Sequence, residues 1–281
     1  MCYLEDDMSR RHKKKSHPPP SPHRLSHWAL SDVGRRREAN EDFFIADSGL
    51  GLYLVADGMG GHAGGSTASR LAADTVKSRI AEMRKTGKLD HSDSPSELAY
   101  VREQLDQIVR QASATIYSAA CQIPELEGMG TTLTILLISG RYAHLAHVGD
   151  SRAYRVRAGR MEQLTEDHSL VNEQVRAGFI TAEEAAHSRF RNIITRSVGF
   201  ESEVQSDTLT IPINEGDVFL LCSDGLNSMV SDEKINHLIN QGRISDCCSR
   251  LVAAANQYGG EDNITVIIVM VGRRGRKKTL K

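Results

Sequence analysis

Residues Leu52–Gly61 read LYLVADGMGG, an apolar run that stops on Asp57 inside a glycine-rich turn. Three more apolar segments carry an aspartate at the same kind of place. HLAHVGD ends on Asp150, FLLCSDG holds Asp224, and GGEDNITVIIV starts beside Asp262. An acidic pair, Glu41 and Asp42, stands just before FFIAD. Short apolar runs bounded by Gly and Asp are strand signals. Acids at strand ends lie along one rim of a sheet, where several can meet. Taken singly, an Asp-Gly pair is a hairpin-turn signal, because both residues tolerate positive φ. The set says more than its members: VGDS and GEDN drop the Asp-Gly form yet keep the acid at the strand end.

Converging carboxylates repel one another and take up protons unless a cation neutralises them. No thiolate or histidine cluster accompanies these acids, so the expected ions are hard and oxygen-seeking, Mg²⁺ or Mn²⁺. The implied chemistry is two-metal hydrolysis of a phosphate ester. In this reading Asp57 bridges two cations, and Gly58 lets its own carbonyl swing towards one of them. The same glycines invite a rival. Gly58, Gly60 and Ala63 match a dinucleotide-binding G-x-G-x-x-A after a strand. That fingerprint needs an acid closing a second strand about 20 residues on, which is absent, and no Gly-Lys-Ser/Thr supports a P-loop.

Other polar groups sort by position. Arg35, Arg36 and Arg37 precede the acidic pair closely enough for a guanidinium fork to hold a phosphate beside the cations, the remainder of the run being a solvated surface. His62 sits among glycines, away from any core pattern, and is a candidate general acid. His144 and His147 are spaced as H-x-x-H, but three residues along a strand they face opposite sides and cannot chelate together. Ser151 lacks a nucleophile elbow and reads as a turn hydroxyl, and Gly130-Thr131-Thr132 reads as structural.

The chain has 281 residues, 40% of them hydrophobic, enough for one substantial core with tails. No apolar stretch approaches the roughly 20 residues of a bilayer span, and the N-terminus is basic where a signal peptide needs an apolar segment. Five cysteines without a C-x-x-C pair fit a reducing cytoplasm. Cys222 reads as a small hydrophobe within a strand, and the adjacent Cys247 and Cys248 as one core and one surface position of a helix. The net charge of −1 hides a partition. Residues 1–27 hold six Lys/Arg and three acids, and residues 273–281 hold six Lys/Arg and none. The middle carries 35 − 12 = 23 basic against 36 − 3 = 33 acidic residues, a net −10. An acidic body suits cation binding and argues against nucleic acid on the folded part.

Pro-rich, basic residues 1–26 read as a disordered tail, residues 27–272 as the folded domain and 273–281 as a second basic tail. Strand signals at Trp28–Ser31, Phe43–Ala46 and Leu52–Ala56 precede a helix opening at Ser66. A second helix carries Leu98, Val101, Leu105, Ile108, Val109, Ala112 and Ile116 as its inner stripe. Strands follow from Thr131, a polar helical insertion spans about 166–190, and strands at 207–213 and 217–222 resume. Helices near Asp232–Asn240 and Ser245–Gln257 lead to a last strand, Asn263–Val271. Antiparallel-looking strands with two helix pairs imply a layered α+β sandwich.

In this order, SDVGRRREANED, VADGMGGHAGG, GMGTTLT, HVGDSRAY, LTEDHS, ITRSVG, CSDGL and GGEDNITV resemble the metal-dependent Ser/Thr protein phosphatases of the type 2C class, in their compact bacterial form. The pieces run from Ser31 to Val269, nearly the whole chain outside its tails. The resemblance implies an αββα four-layer sandwich, two central mostly antiparallel sheets flanked by helix pairs, with the metals at one rim. It implies that Asp57 bridges two core ions, with the Gly58 carbonyl on one and Asp224 and Asp262 completing the other. Glu41 and Asp42 would hold metal-bound waters, Arg37 the substrate phosphate, and Asp150 with Asp224 a weaker third ion. His62 fits the place of the proposed proton donor, and 166–190 that of a mobile flap. Where members often show His-Pro and a basic residue, this chain has His187-Ser188-Arg189-Phe190, which frees the backbone locally.

The implied activity is hydrolysis of phosphoserine and phosphothreonine on proteins by a water bridging two Mn²⁺ or Mg²⁺ ions, without a covalent phosphoenzyme. The implied partners are phosphoproteins and a cognate Ser/Thr kinase, and the expected state is a cytoplasmic monomer. The alternative is a silent phosphoprotein-binding module of the same fold, which would be expected to lose at least one core acid. Here every candidate ligand is present.

Overall fold

The computed structural model describes residues 21–61, 63–89, 94–186 and 188–273. In chain order the elements are β1 (Arg24–Asp32), β2 (Asp42–Asp47), β3 (Leu52–Met59), α1 (Ala63–Lys85) and α2 (Pro95–Gln122). There follow β4 (Gly130–Thr131), β5 (Leu133–Ser139), β6 (Tyr142–Val148), β7 (Arg152–Arg157) and β8 (Arg160–Gln163). The insertion forms α3 (Leu170–Arg176) and α4 (Ala182–Ala186). The chain closes with β9 (Asp207–Pro212), β10 (Val218–Cys222), α5 (Asp224–Asn227), α6 (Asp232–Asn240), α7 (Cys247–Gln257) and β11 (Ile264–Gly272).

Two antiparallel sheets result. One has the order β1-β11-β10-β7-β8; the other runs β2-β3-β5-β6-β9, with β4 added beside β3. Period-two alternation decides which residues face where. Tyr53 and Val55 of β3 point between the sheets with Leu136, Leu145, Phe219, Leu221 and Ile267. Leu52, Leu54 and Ala56 point outwards and pack under α1 and α2, against Val76, Ile80, Leu105 and Ile108. On the far side Leu220, Cys222, Val266 and Ile268 meet Ile235, Leu251 and Ala255 of α6 and α7. The layers are therefore α, β, β, α. Because both faces of each sheet are covered, LTILLIS in β5 is buried at every position and shows no polar alternation.

The α2 helix starts at Pro95, ahead of Leu98 where its inner stripe begins, because a local cap fixes its first turn. Ser94 caps it, accepting from the Glu97 backbone N–H at 3.3 Å, while Glu97 accepts from the Ser94 backbone N–H at 3.0 Å. Pro95 occupies the first turn, where no backbone donor is required. Its buried face contains Val101, Leu105, Ile108, Val109, Ala112 and Ile116 of the expected stripe, while Leu98 near the helix start is only half-buried.

Three expectations need correction. Strand pairing begins at Arg24, opposite Gly272, ahead of residue 27, because β11 extends far enough to offer a partner. Helix α1 begins at Ala63 rather than Ser66. Its first turn includes Gly64 and Gly65, poor helix formers in isolation and both buried; a Cβ on Gly65 would collide with Glu41 and the Gly58 backbone. Cys247 and Cys248 are both buried, since α7 is packed against β1, β11 and α6 together. Cys222 is buried in β10 as expected. The tail residues 1–20 and 274–281 lie outside the described residues. No helix among the described residues is long and apolar enough to cross a membrane.

Candidate metal centre

The antiparallel order brings the acids to one rim. Asp42 opens β2 and pairs with Asp57 near the end of β3. Asp150 follows β6, Asp224 follows β10, and Asp262 precedes β11. Together with Glu41, Arg36 and Arg37, Asp57, Asp150, Asp224 and Asp262 line a cleft of about 830 Å³. Seven of the nine residues singled out from sequence thus line one cavity, including the Gly58 backbone. Asp42 stands behind it, bonded to Ser223, and His62 lies outside the described residues.

Each strand end is held by neighbouring polar groups. The Asp57 backbone N–H donates to Thr132 Oγ1 at 2.9 Å, and its carbonyl accepts from Thr131 Oγ1 at 2.9 Å and from the Thr132 N–H at 2.8 Å. Asn263 knots the rim: its Oδ1 accepts from the Glu41 N–H at 2.8 Å, and its Nδ2 donates to the carbonyls of Val33 at 3.0 Å and Ala39 at 2.9 Å. Ser69 Oγ donates to the Glu41 carbonyl at 2.7 Å, tying α1 to the acidic loop. A Cβ on Gly58 would collide with the Gly65 carbonyl and the Glu41 carbonyl, so glycine is required for α1 to start this close to β3.

The electrostatics are unfavourable to bare carboxylates. Burial pushes Asp57 well above the usual carboxylate range, and the charges of Asp42, Asp224, Asp150 and Asp262 push it further. Burial raises Asp150 to about 8, helped by Asp224 and Asp167. Burial raises Asp42 to about 7 although hydroxyl bonds from Thr265 and Ser223 oppose it. Asp224 rises to about 6 for the same first reason, with Asp262 adding to it and a hydrogen bond to Asp57 opposing. Asp42 Oδ1, Asp150 Oδ1 and Asp224 Oδ1 are buried without a hydrogen-bond partner. Buried oxygens of this kind call for cations. Among the described residues no three acidic, histidine or cysteine side chains close into one tight group; the donors ring the cleft instead. Asp262 Oδ2 accepts from Arg37 Nη2 at 2.7 Å.

The arginine run divides. The Arg35 backbone N–H donates to the Gly260 carbonyl at 2.7 Å, while Arg36 and Arg37 line the cleft. His144 and His147 form no pair: His144 bonds Thr210 and His147 bonds Thr134, each at 2.9 Å. Ser151 is buried and bonded to Thr132 Oγ1 at 2.8 Å, a structural hydroxyl. Sequence reasoning missed Ser223, Thr265, Asn263 and His168. Their polar side chains are buried at the rim, next to acids that were noticed. The insertion packs α3 and α4 over a second hollow of about 340 Å³, which shares Asp150, Asn192 and Asp224 with the main cleft.

Comparison with known proteins agrees with this geometry. A family model described as protein phosphatase 2C matches residues 35–265. Protein phosphatase PhpP of Streptococcus pneumoniae is 38% identical over 244 residues, 85% of this chain and 95% of that protein. The Mycobacterium tuberculosis serine/threonine phosphatase PstP/Ppp has a crystal structure similar at TM-score 0.79 and 36% identity, covering 89% of this chain and 99% of that one. The catalytic domain of PstP in complex with two manganese ions is similar at TM-score 0.76 and 36% identity, over 88% of this chain and 98% of that one. The α+β sandwich, the acidic rim and these likenesses lead to one conclusion: the chain belongs to the protein phosphatase 2C family of serine/threonine phosphatases.

Proposed function

We propose that this protein removes phosphate from phosphoserine and phosphothreonine on protein substrates, with two divalent cations, Mn²⁺ or Mg²⁺, held by the acidic cleft. The observation that carries the reading is the group of buried carboxylate oxygens on Asp42, Asp150 and Asp224 that lack partners. Asp57 would serve both ions, the Gly58 carbonyl one of them, and Asp224 and Asp262 the other. Glu41 and Asp42 would stand behind as hydrogen-bond acceptors, and Asp150 with Asp224 would offer a weaker third place. When bound, the cations would supply Lewis acidity and a water activated for in-line attack, so that no phosphoenzyme is needed.

The chain's own groups do the rest. Arg37 has a half-exposed guanidinium at the cleft wall and presents a planar fork to the phosphoryl oxygens. Its contact with Asp262 also fixes the direction of that fork. Thr131, Thr132 and Asn263 keep the acid-bearing backbone rigid while charge moves through the site. His62 is assigned the proton delivered to the departing Ser/Thr oxygen. The phosphatase domain would span about Arg24 to Gly272, with basic tails outside it. A cognate Ser/Thr kinase in the same cytoplasm would supply the substrates, and the working form would be a monomer. A silent binding module is disfavoured, because every cleft acid is kept.

The test is hydrolysis of a phosphothreonine peptide by the full chain with added Mn²⁺ and again with chelator. Release that depends on the metal is expected. No release from folded, metal-loaded protein would move the reading to the silent module.

A further inference from the structure

His168 occupies a joint that the catalytic reading leaves unused. It is 3% exposed, at the base of the 166–190 insertion. Its backbone N–H donates to the Gly149 carbonyl at 2.7 Å, and its Nδ1 accepts from the Gly149 N–H at 3.1 Å. With Nδ1 accepting, the neutral ring carries its proton on Nε2, which faces Asp207 Oδ2 at 3.2 Å. Asp207 Oδ1 in turn accepts from Arg196 Nη1 at 2.9 Å.

The same residue holds the neck of the insertion. The Thr195 N–H donates to the His168 carbonyl at 2.9 Å, and the Leu170 N–H to the Ile193 carbonyl at 2.9 Å. Ser169 and Ile194 form an isolated bridge between them. Both ends of the insertion therefore meet at His168, and His168 grips both polar groups of Gly149. Gly149 has φ +110, a conformation that favours glycine, and the next residue is Asp150.

We infer that His168 is a positioning residue: it fixes the Asp150 carboxylate at the cleft edge and couples it to the neck of the flap. The inference rests on the proposed role of Asp150 as holder of a weaker cation, and goes beyond it by naming what holds Asp150 still. Partners of this kind orient a ligand without touching the ion, and their loss typically costs about 10–100-fold in metal affinity.

The test is Mn²⁺ binding to the full chain, read as tight and weak classes, with amide exchange at residues 169–172 and 193–195. His168→Leu removes both ring bonds; His168→Asn keeps an acceptor at the position of Nδ1 and loses only the reach to Asp207. The leucine variant is expected to weaken the weak class by about 10–100-fold, leave the tight class within about threefold, and abolish Mn²⁺ protection of the neck amides. The asparagine variant is expected to restore most of the weak binding, a rescue that a merely space-filling residue would not show. Should the leucine variant fail to fold, Asp207→Ala, at a half-exposed position, is expected to show the same residual weakening of the weak class as His168→Asn, smaller than the loss of both ring bonds. The inference is overturned by unchanged weak binding in folded His168→Leu or Asp207→Ala, by no rescue in His168→Asn, or by a wild-type chain with no weak class. Peptide hydrolysis by the wild type, run alongside, reports separately on the phosphatase reading.

Discussion

Asp42 and Asp57 stand opposite each other in the register of β2 and β3, two half-buried acids at one rim. The charge of Asp42 raises the proton affinity of Asp57, and the hydroxyls of Ser223 and Thr265 offset only part of the desolvation cost at Asp42 itself. Asp42→Asn removes one charge and keeps an acceptor for those hydroxyls. Melting of the metal-free chain should rise; a gain of about 1 kcal/mol corresponds to about 2–4 °C at this size. The Mn²⁺-induced rise in melting temperature should shrink. A lower metal-free melting temperature would show that the pair is not repulsive.

Arg37 reaches Asp262 at 2.7 Å while more than half of its side chain is open to the cleft. Arg37→Ala should lower kcat/KM on a phosphothreonine peptide by about 10–100-fold, since a charge-assisted fork to phosphate contributes roughly 1.5–3 kcal/mol. Arg37→Lys should recover little, because a point charge cannot reproduce the fork. Unchanged kinetics in both variants would remove Arg37 from substrate binding.

Asn263 makes three side-chain hydrogen bonds to backbone groups of the loop that carries Arg37 and Glu41, and is buried. Asn263→Ala leaves those groups without their partner, at about 1–3 kcal/mol each where water cannot reach. Urea unfolding should show a loss of at least about 2 kcal/mol. Asn263→Asp should be as damaging, because a carboxylate cannot donate to the Val33 and Ala39 carbonyls. A loss below about 0.5 kcal/mol, the usual size at surface positions, would contradict the knot.

His144 and His147 are neutral in the fold: burial holds the first down to about 4 and the second to about 3. Above pH 6.5 both are neutral folded and unfolded. Between pH 6.5 and 4 the unfolded chain binds protons that the native state excludes, so stability falls on acidification. The slope is about 1.4 kcal/mol per pH unit for each histidine. Urea midpoints at pH 7, 6 and 5, with saturating Mn²⁺ to keep the cleft acids ionised, should fall in that order. His144→Leu, which also removes an unpartnered Nε2, should flatten the fall. An unaltered slope in that variant would contradict the assignment.

Sequence alone disclosed what is periodic or terminal. The α2 stripe is a local pattern, and the acids at strand ends are marked by the glycines beside them. What it did not disclose depends on non-local packing. Gly64 and Gly65 read as loop because their burial against β3 lies outside the local pattern, which hid the first turn of α1. Cys247 and Cys248 could not both be placed inside until α7 was seen packed against β1, β11 and α6. His168 looked like one more polar residue of a loop; its contacts to Gly149 and Asp207 span 19 and 39 residues. Arg35 and Arg36 separate only through the backbone bond to Gly260.

The central claim is that Asp57 organises the cations of a phosphatase cleft. Its most direct test compares wild type and Asp57→Asn for Mn²⁺ stoichiometry by calorimetry and for phosphothreonine-peptide hydrolysis on the same samples. The account predicts a folded variant that binds fewer ions and turns over at least about 10³-fold more slowly, the scale of losing a metal-centred catalytic group. Normal ion occupancy with retained turnover in Asp57→Asn would contradict it.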